Sequence, residues 1–241
     1  GRTSISPSRA RLSTRCCMTS WCRAIGWRLM PDTEVHRLGV FGGAFDPPHV
    51  AHLALAQHAI AQFALDRLLI IPTGDAWHKT RPLTAAPHRL AMTRLAFAEL
   101  PQAWVDPREI DRDGPTYTID TLEALRLEYP SAKLFLFIGA DQARAFQTWH
   151  RWQDILRMAT LVVAQRQVEG GNEKHKVDAQ WHNAVSPDVQ ILDMPSLPIS
   201  ATEIRSHLAQ GSQTQAAPLH EWLSAPVQHY VDQHRLYRLD R

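Results

Sequence analysis

Two glycines and two histidines fall within one window of eleven residues, 42–52. Gly42 and Gly43 are adjacent, so the backbone there can approach a ligand with no Cβ in the way. A helix beginning just after them would point free N–H groups and the positive end of its dipole at the same space. His49 and His52 are three residues apart, which puts both imidazoles on one side of the first helical turn, where they can donate to phosphate oxygens. The window therefore predicts a phosphate-binding site.

A second polar segment, 199–205, lies far downstream. Ser200 and Thr202 are residue types that cap helix starts, and Arg205 follows one turn later. One interpretation is structural: a serine at the cap accepts a hydrogen bond from a free backbone N–H. The other is functional: an arginine beside phosphates makes forked, charge-assisted hydrogen bonds to them. Both interpretations of this segment remain open on the residues alone.

Several other kinds of site are excluded. The chain has no G-x-G-x-x-G or G-x-x-x-x-G-K-[ST] loop and no G-x-S-x-G elbow. A zinc site is disfavoured because His49 and His52 are not part of an H-E-x-x-H motif. The three cysteines, Cys16, Cys17 and Cys22, all precede residue 31, so thiolate chemistry is excluded from the rest of the chain.

Short apolar runs alternate with amphipathic segments from residue 37 onward, which predicts β-α-β units around a parallel sheet. We expect an α/β doubly wound sheet in one domain, with ligands at the carboxyl ends of the strands. Gly42 and Gly43 should form a tight turn after the first strand, and the polar stretch 167–188 should be a loop. The expected strands are 38–41, 68–71, 103–105, 134–138, 161–164 and 189–192, and the expected helices are 52–63, 87–100, 118–128, 200–209 and 218–235.

The first 30 residues differ from the rest of the chain. They hold six arginines and no acidic residue, which leaves 20 basic and 24 acidic residues in 31–241. An organellar transit peptide has this composition, and so does an upstream stretch translated from a wrongly chosen start, with Met30 as the true first residue. We favour the second alternative and assign the domain to 31–241. The mild acidity of 31–241 argues against a nucleic-acid partner, and no segment is apolar enough to span a membrane.

The two polar segments together resemble a known superfamily. Residues 42–52 are similar to the G-G-x-F-D-P-x-H-x-G-H signature of nucleotidyltransferases, with Ala51 in place of its second-last glycine. Residues 199–205 are similar to their I-S-[ST]-T-x-[IVL]-R element. Within the superfamily, residues 37–238 most resemble the bacterial nicotinate-mononucleotide adenylyltransferases, which implies a Rossmann-like nucleotidyltransferase fold.

The resemblance implies a reaction and a set of site residues. ATP would donate AMP to nicotinate mononucleotide by direct in-line attack, giving nicotinate adenine dinucleotide and pyrophosphate. Mg²⁺ would travel with ATP, and the protein itself would form no metal site. The enzyme would be cytoplasmic, and whether it forms a homo-oligomer stays open. The implied catalytic residues are His49, His52 and Arg205. The implied ATP-binding residues are Gly42, Gly43, Phe45, Gly139, Asp141, Arg166, Ile199, Ser200 and Thr202. The implied mononucleotide-binding residues are His78, Lys79, Tyr117, Thr118 and Trp149.

Three alternatives remain. The acceptor could be nicotinamide mononucleotide or phosphopantetheine rather than the nicotinate form. The fold could also serve a nucleotide-binding sensor without catalysis, although the two histidines and Arg205 favour an enzyme. A metal-dependent hydrolase would need clustered ligands that the sequence does not display.

Overall fold

The apolar runs pair as a six-stranded sheet in the order β3-β2-β1-β4-β5-β6, with every neighbouring pair parallel. The computed structural model describes residues 34–74, 83–167, 181, 185–195, 197, 199–210 and 219–238. The strands are β1 (Arg37–Gly43), β2 (Arg67–Pro72), β3 (Ala103–Val105), β4 (Lys133–Gly139), β5 (Thr160–Gln167) and β6 (Gln190–Pro195). The chain reverses its direction of travel across the sheet between β1 and β4, and this confirms the predicted doubly wound architecture.

Helices connect the strands and close the domain. They are α1 (Val50–Phe63), α2 (Ala86–Phe97), α3 (Thr118–Glu128), α4 (Ala140–Arg144), α5 (Trp152–Met158), α6 (Ala201–Gln210), α7 (Leu219–Trp222) and α8 (Ala225–Gln233), with a 3-10 turn at Phe146–Thr148. Within the described part of the chain, every helix is too short or too polar to span a bilayer.

The strands are apolar on both faces because helices cover both sides of the sheet. Val40 and Leu136 point to one face, where they pack with residues of α3 and α5. Phe41 and Phe137 point to the other face and pack with residues of α1. A third apolar cluster joins α2, α6 and α8 beside the sheet. This cluster places the C-terminal helices next to the segment that follows β1.

The tight turn predicted at Gly42 and Gly43 is wrong. Both glycines belong to β1, because they pair in register with Ile71 and Pro72 of β2, and the N–H of Thr73 donates to the carbonyl of Gly43 at 2.9 Å. The chain turns later, over 44–49, through a left-handed Phe45 (φ 47°) and a cis Asp46–Pro47 bond. The helix that follows therefore begins at Val50, after both prolines.

The helix predicted over 218–235 is interrupted. It ends with α7 at Trp222 and resumes with α8 at Ala225, and Ser224 between them is extended (φ −62°, ψ 147°). Pro226 explains the restart, because proline lacks an N–H to donate and is tolerated only in the first turn of a helix. After the restart, α8 packs with α2 in the third apolar cluster. Most of 167–188, predicted as a loop, lies outside the described residues, although β5 runs on to Gln167.

Candidate active site

A cleft of about 820 Å³ opens at the carboxyl ends of β1 and β4, where the strand order changes direction. Ligands bind at this position in doubly wound sheets. The predicted residues that line the cleft are Gly42, Gly43, Phe45, His49, His52, Gly139, Asp141, Ile199, Ser200, Thr202 and Arg205. The structure thus brings together two sequence segments that are separated by most of the domain.

A side chain at Gly43, at the end of β1, would be crowded by the ring of Phe45. A Cβ at this position would lie 3.1 Å from Cζ of Phe45, whose ring folds back beneath the strand. Phe45 is buried and packs edge-on against Phe41, Phe97 and His52, with ring centroids 5.4, 6.0 and 5.0 Å apart. The ring of Phe45 therefore packs beneath the loop after β1 and the first turn of α1 and supports both.

His49 and His52 form a pair at the start of α1. His49 is the N-cap of the helix, and its backbone N–H donates to Nδ1 of His52 at 3.2 Å. The centroids of the two rings are 3.8 Å apart. Because Nδ1 of His52 accepts a hydrogen bond, the proton of the neutral ring resides on Nε2, which makes Nε2 a donor. His49 is only 8% exposed, so the pair is held firmly at the wall of the cleft.

Arg205 reaches the cleft from α6 and is fixed by two neighbours. Its Nη1 donates to the backbone carbonyl of Asp46 at 2.7 Å, and its Nη2 donates to Oγ1 of Thr202 at 2.9 Å. The first contact joins α6 to the loop after β1 across 159 positions of the chain. The guanidinium therefore lies beside the histidine pair as a positively charged group at a set position.

Ser200 caps α6 through a reciprocal arrangement with Glu203. The N–H of Glu203 donates to Oγ of Ser200 at 3.2 Å, and the N–H and Oγ of Ser200 both donate to Oε2 of Glu203, at 2.9 and 2.8 Å. This is a capping box, which satisfies backbone groups at a helix start. The structural interpretation of Ser200 is thus confirmed, and its phosphate contact stays a prediction.

Two further cleft residues come from the end of β4. Oε1 of Gln142 accepts the N–H of Gly139 at 3.1 Å, and Asp141 forms an ion pair with Arg144. Asp141 remains 78% exposed despite that pair. An exposed carboxylate at the rim can accept hydrogen bonds from a ligand's hydroxyl or amino groups.

Three of the residues predicted for the mononucleotide, Tyr117, Thr118 and Trp149, are not part of the described lining of this cleft. Tyr117 precedes α3 and its ring centroid is 4.7 Å from that of His150, while Trp149 packs on Phe146 at 5.4 Å. Thr118 is the first residue of α3. Since α3 and α5 lead back to the amino ends of β4 and β5, their own starts lie toward the carboxyl edge of the sheet. Tyr117 and Trp149 therefore both lie toward this edge, and both pack against the apolar cluster on the opposite face from α1.

Arg166, His78 and Lys79 complete the set of predicted site residues. Arg166 belongs to β5 and pairs in register with Met194, a residue that lines the cleft. His78 and Lys79 lie outside the described residues.

Several cleft residues were not predicted as site residues, and Asp46, Gln142 and Met194 are among them. Asp46 stands inside the first signature and could have been inferred from it, and Gln142 stands three residues after Gly139, as a capping residue would. Met194 comes from β6 and gave no local signal, because only the register of the sheet brings it to the cleft.

Comparisons with known proteins agree with this geometry. Residues 40–207, more than half of the chain, match the family model described as cytidylyltransferase-like. A probable nicotinate-nucleotide adenylyltransferase of Albidiferax ferrireducens is 47% identical over 203 residues, which cover 84% of this chain and 98% of the relative. A protein of the same name from Methylibium petroleiphilum is 40% identical over 208 residues, which cover 86% and 95%.

Solved structures show the same fold. The nicotinic acid mononucleotide adenylyltransferase of Plasmodium falciparum, complexed with APC, superposes with a TM-score of 0.68 at 17% identity, covering 84% of this chain and 97% of that one. The structural likeness shows the fold alone. The sequence relatives also show the family, because their identity to this chain is much higher and they align over nearly their whole length. The chain belongs to the nicotinate-nucleotide adenylyltransferases, within the cytidylyltransferase-like family.

Proposed function

We propose that the protein transfers AMP from ATP to nicotinate mononucleotide, yielding nicotinate adenine dinucleotide and pyrophosphate. The observation that carries this proposal is the cleft at the switch of strand order, where His49, His52, Thr202 and Arg205 converge. The groups that line it include N–H donors, two imidazoles and a guanidinium, which suit a polyphosphate. The names of the relatives supply the acceptor.

The step itself is a single displacement. An oxygen of the acceptor's 5′-phosphate attacks the α-phosphorus of ATP, while the bond from that phosphorus to the bridging oxygen of the β-phosphate breaks. The electron pair leaves with pyrophosphate. A phosphate is already ionised at neutral pH, so no general base is needed, and catalysis consists of positioning and charge stabilisation.

Each cleft group has a role in that step. Nε2–H of His52 and the imidazole of His49 donate to phosphate oxygens on which charge accumulates. Arg205 holds the departing phosphates, with Thr202 fixing the orientation of its guanidinium. Both α1 and α6 begin at the cleft, and their positive ends add to the attraction for anions.

Mg²⁺ would enter as part of the MgATP substrate. The imidazoles and the guanidinium in the cleft would hold the phosphates of ATP, and the ion would be carried mainly by those phosphates and by water. The exposed carboxylate of Asp141 at the rim could contact those waters. The ion would neutralise charge on the leaving pyrophosphate.

The acceptor's pyridine ring would bind against Trp149, with Tyr117 and Thr118 at the start of α3 contributing to the same site. A flat heterocycle stacks well on an indole ring. Trp149 is partly buried and anchored on the core by Phe146, which keeps its orientation fixed.

We also propose a cytoplasmic location, on the ground that residues 31–241 contain no cysteine.

The test is pyrophosphate release by the full chain with MgATP, with the dinucleotide product identified by mass. Nicotinate mononucleotide, nicotinamide mononucleotide and phosphopantetheine are compared as acceptors at equal concentration. We expect the nicotinate form to react fastest. Preference for phosphopantetheine would overturn the pyridine-site assignment and keep the chemistry of the cleft. Preference for nicotinamide mononucleotide would keep both and overturn the choice of the nicotinate form. ATP binding without pyrophosphate release from any acceptor would identify a sensor and overturn the proposed reaction.

A further inference from the structure

The side chain of Asp46 is buried behind the cleft and is held by the far end of the chain. The hydroxyl of Tyr237 donates to Oδ1 of Asp46 at 2.8 Å, and the N–H of Thr84 donates to Oδ2 at 3.3 Å. Asp46 is only 2% exposed, so these contacts are shielded from water. Hydrogen bonds from donors to a buried carboxylate are among the stronger ones in proteins. Tyr237 therefore fixes a charged group in the loop between β1 and α1.

That loop carries the groups assigned to catalysis. The backbone carbonyl of Asp46 accepts Nη1 of Arg205, and His49, the N-cap of α1, follows three residues later. A shift of Asp46 would move the guanidinium and the histidine pair together. The reacting geometry in a transfer step of this kind tolerates little displacement. The position of Asp46 is therefore coupled to both parts of the cleft.

The segment that carries Tyr237 is itself well defined. The N–H of Leu236 donates to the carbonyl of Val231 at 3.0 Å, which turns the chain back at the end of α8. Arg235 and Tyr237 have left-handed backbone angles, with φ of 51° and 65°. Side chains disfavour this region, and such conformations persist where the surrounding structure imposes them. The contacts of the segment thus include one that aims the phenol at Asp46.

The phenol is suited to act as a permanent donor. Burial, together with the neighbouring Asp46 carboxylate, raises the pKa of Tyr237, so the hydroxyl keeps its proton at neutral pH. The hydroxyl also lies 3.9 Å from Sδ of Met92, in the apolar cluster that joins α2, α6 and α8. The donor is thereby anchored on the same cluster that supports α6 and Arg205.

We propose that Tyr237 is a positioning residue of the adenylyl-transfer site, acting through Asp46 on Arg205 and His49. This inference rests on the proposed function. Tyr237 is not part of the described lining of the cleft, so its effect on the reaction is indirect. It assigns a catalytic consequence to a residue outside both sequence signatures.

The first test is Tyr237→Phe in the full chain, which removes only the hydroxyl. Tyr230→Phe is the matched control, because the Tyr230 hydroxyl also makes one side-chain hydrogen bond, to Nδ1 of His88 at 3.0 Å, in the same C-terminal region. We expect Tyr237→Phe to lower kcat roughly 10-fold or more, with both KM values within about twofold of the parent. The control should keep kcat, and the two variants should have similar Tm values.

A double-mutant cycle tests the route through Asp46. If Tyr237 acts through that carboxylate, Tyr237→Phe should have no further effect on kcat in an Asp46→Ala background. Should Asp46→Ala fail to fold, Asp46→Asn takes its place. The amide still accepts from the phenol, but more weakly than a carboxylate does, so Tyr237→Phe should then lower kcat by a smaller factor than it does in the parent.

The outcomes separate the two proposals. A parent protein that forms no dinucleotide overturns the proposed function. With an active parent, a Tyr237→Phe kcat within twofold overturns the positioning role, and so does an equal loss of kcat in Tyr230→Phe. Additive losses in the cycle overturn the route through Asp46.

Discussion

The backbone N–H of His49 donates to Nδ1 of His52 at 3.2 Å, so the two histidines are one structural unit at the start of α1. The contact satisfies one of the N–H groups that a helix start leaves unpaired. It also fixes the ring of His52 so that Nε2 carries the proton. One nitrogen thus stabilises the helix start, and we assign the other to contact with the substrate.

This division of roles predicts the behaviour of His52→Asn. The asparagine Oδ1 can replace Nδ1 as the acceptor from His49, but nothing replaces Nε2–H. We expect the variant to keep the parent's Tm and to lose about 10²- to 10³-fold in kcat, the cost of one charge-stabilising donor. His58→Asn, at an exposed position on the same helix, is the control and should retain full activity. Parent-like turnover in folded His52→Asn would refute the assignment.

Substitutions of Trp149 test the pyridine site. Trp149→Ala should raise KM for nicotinate mononucleotide about 3- to 10-fold, the range expected for a lost aromatic pair, and leave KM for ATP unchanged. Trp149→Phe keeps a ring and should fall between the alanine variant and the parent. Trp152→Phe is the control, since Trp152 also packs on Phe146, with centroids 6.1 Å apart. Equal rises in both KM values would indicate a general loss of packing instead.

Gly74 is predicted to tolerate no side chain. A Cβ there would lie 2.1 Å from the backbone oxygen of Glu109, which cannot move aside as a side chain would. We expect Gly74→Ala to lower the free energy of unfolding by about 2 kcal/mol or more in urea titrations. Gly114→Ala is the comparison, because it has open space but a φ of 84°, and it should cost only about 1 kcal/mol. A larger loss of unfolding free energy in Gly114→Ala than in Gly74→Ala would show that backbone conformation matters more than the clash.

Glu109 gives the protein a pH dependence of known sign. Burial raises its pKa above the ordinary value of 4.5, although a hydrogen bond from Thr121 and the charge of Arg112 partly oppose that shift. The folded state therefore holds a proton at pH values where the unfolded chain has already released it. The stability that this proton confers is complete below pH 4.5 and is lost as the pH rises through the folded pKa.

Glu109→Gln isolates this contribution, since glutamine is always neutral and can still accept from Thr121. The unfolding free energy of the variant, relative to that of the parent, should increase as the pH rises above 4.5. Glu99→Gln, at an exposed position, should show no such trend. If the difference in unfolding free energy between Glu109→Gln and the parent stays constant with pH, the assignment of this pH dependence to Glu109 is contradicted.

The strands and most of the cleft could be predicted because their signals are local. Apolar runs such as 134–138 are recognisable one at a time, and the segments 42–52 and 199–205 carry their residue types in fixed spacing. The end of β1 was misjudged because Gly42 and Gly43 pair with β2, and a pairing between distant segments overrides the local preference of glycine for turns.

The supporting residues behind the cleft gave no comparable signal. Arg89 is only 2% exposed and donates to the carbonyls of Thr84, Ala44 and Gly74, tying three segments together. In the sequence it is an ordinary arginine in a helix. Long-range contacts of this kind leave no spacing pattern, so they become visible only in the folded molecule.

The contact between Tyr237 and Asp46 also has a consequence during synthesis. The two residues are 191 positions apart, so a ribosome adding about 5–20 residues per second makes Asp46 roughly 10 to 40 s before its partner exists. For that interval the nascent chain already holds the glycines and both histidines, while the phenol that secures their loop has not been translated. The site is thus among the last parts of the molecule to be completed, and a chain cut short before Tyr237 would carry the sequence signatures without their support.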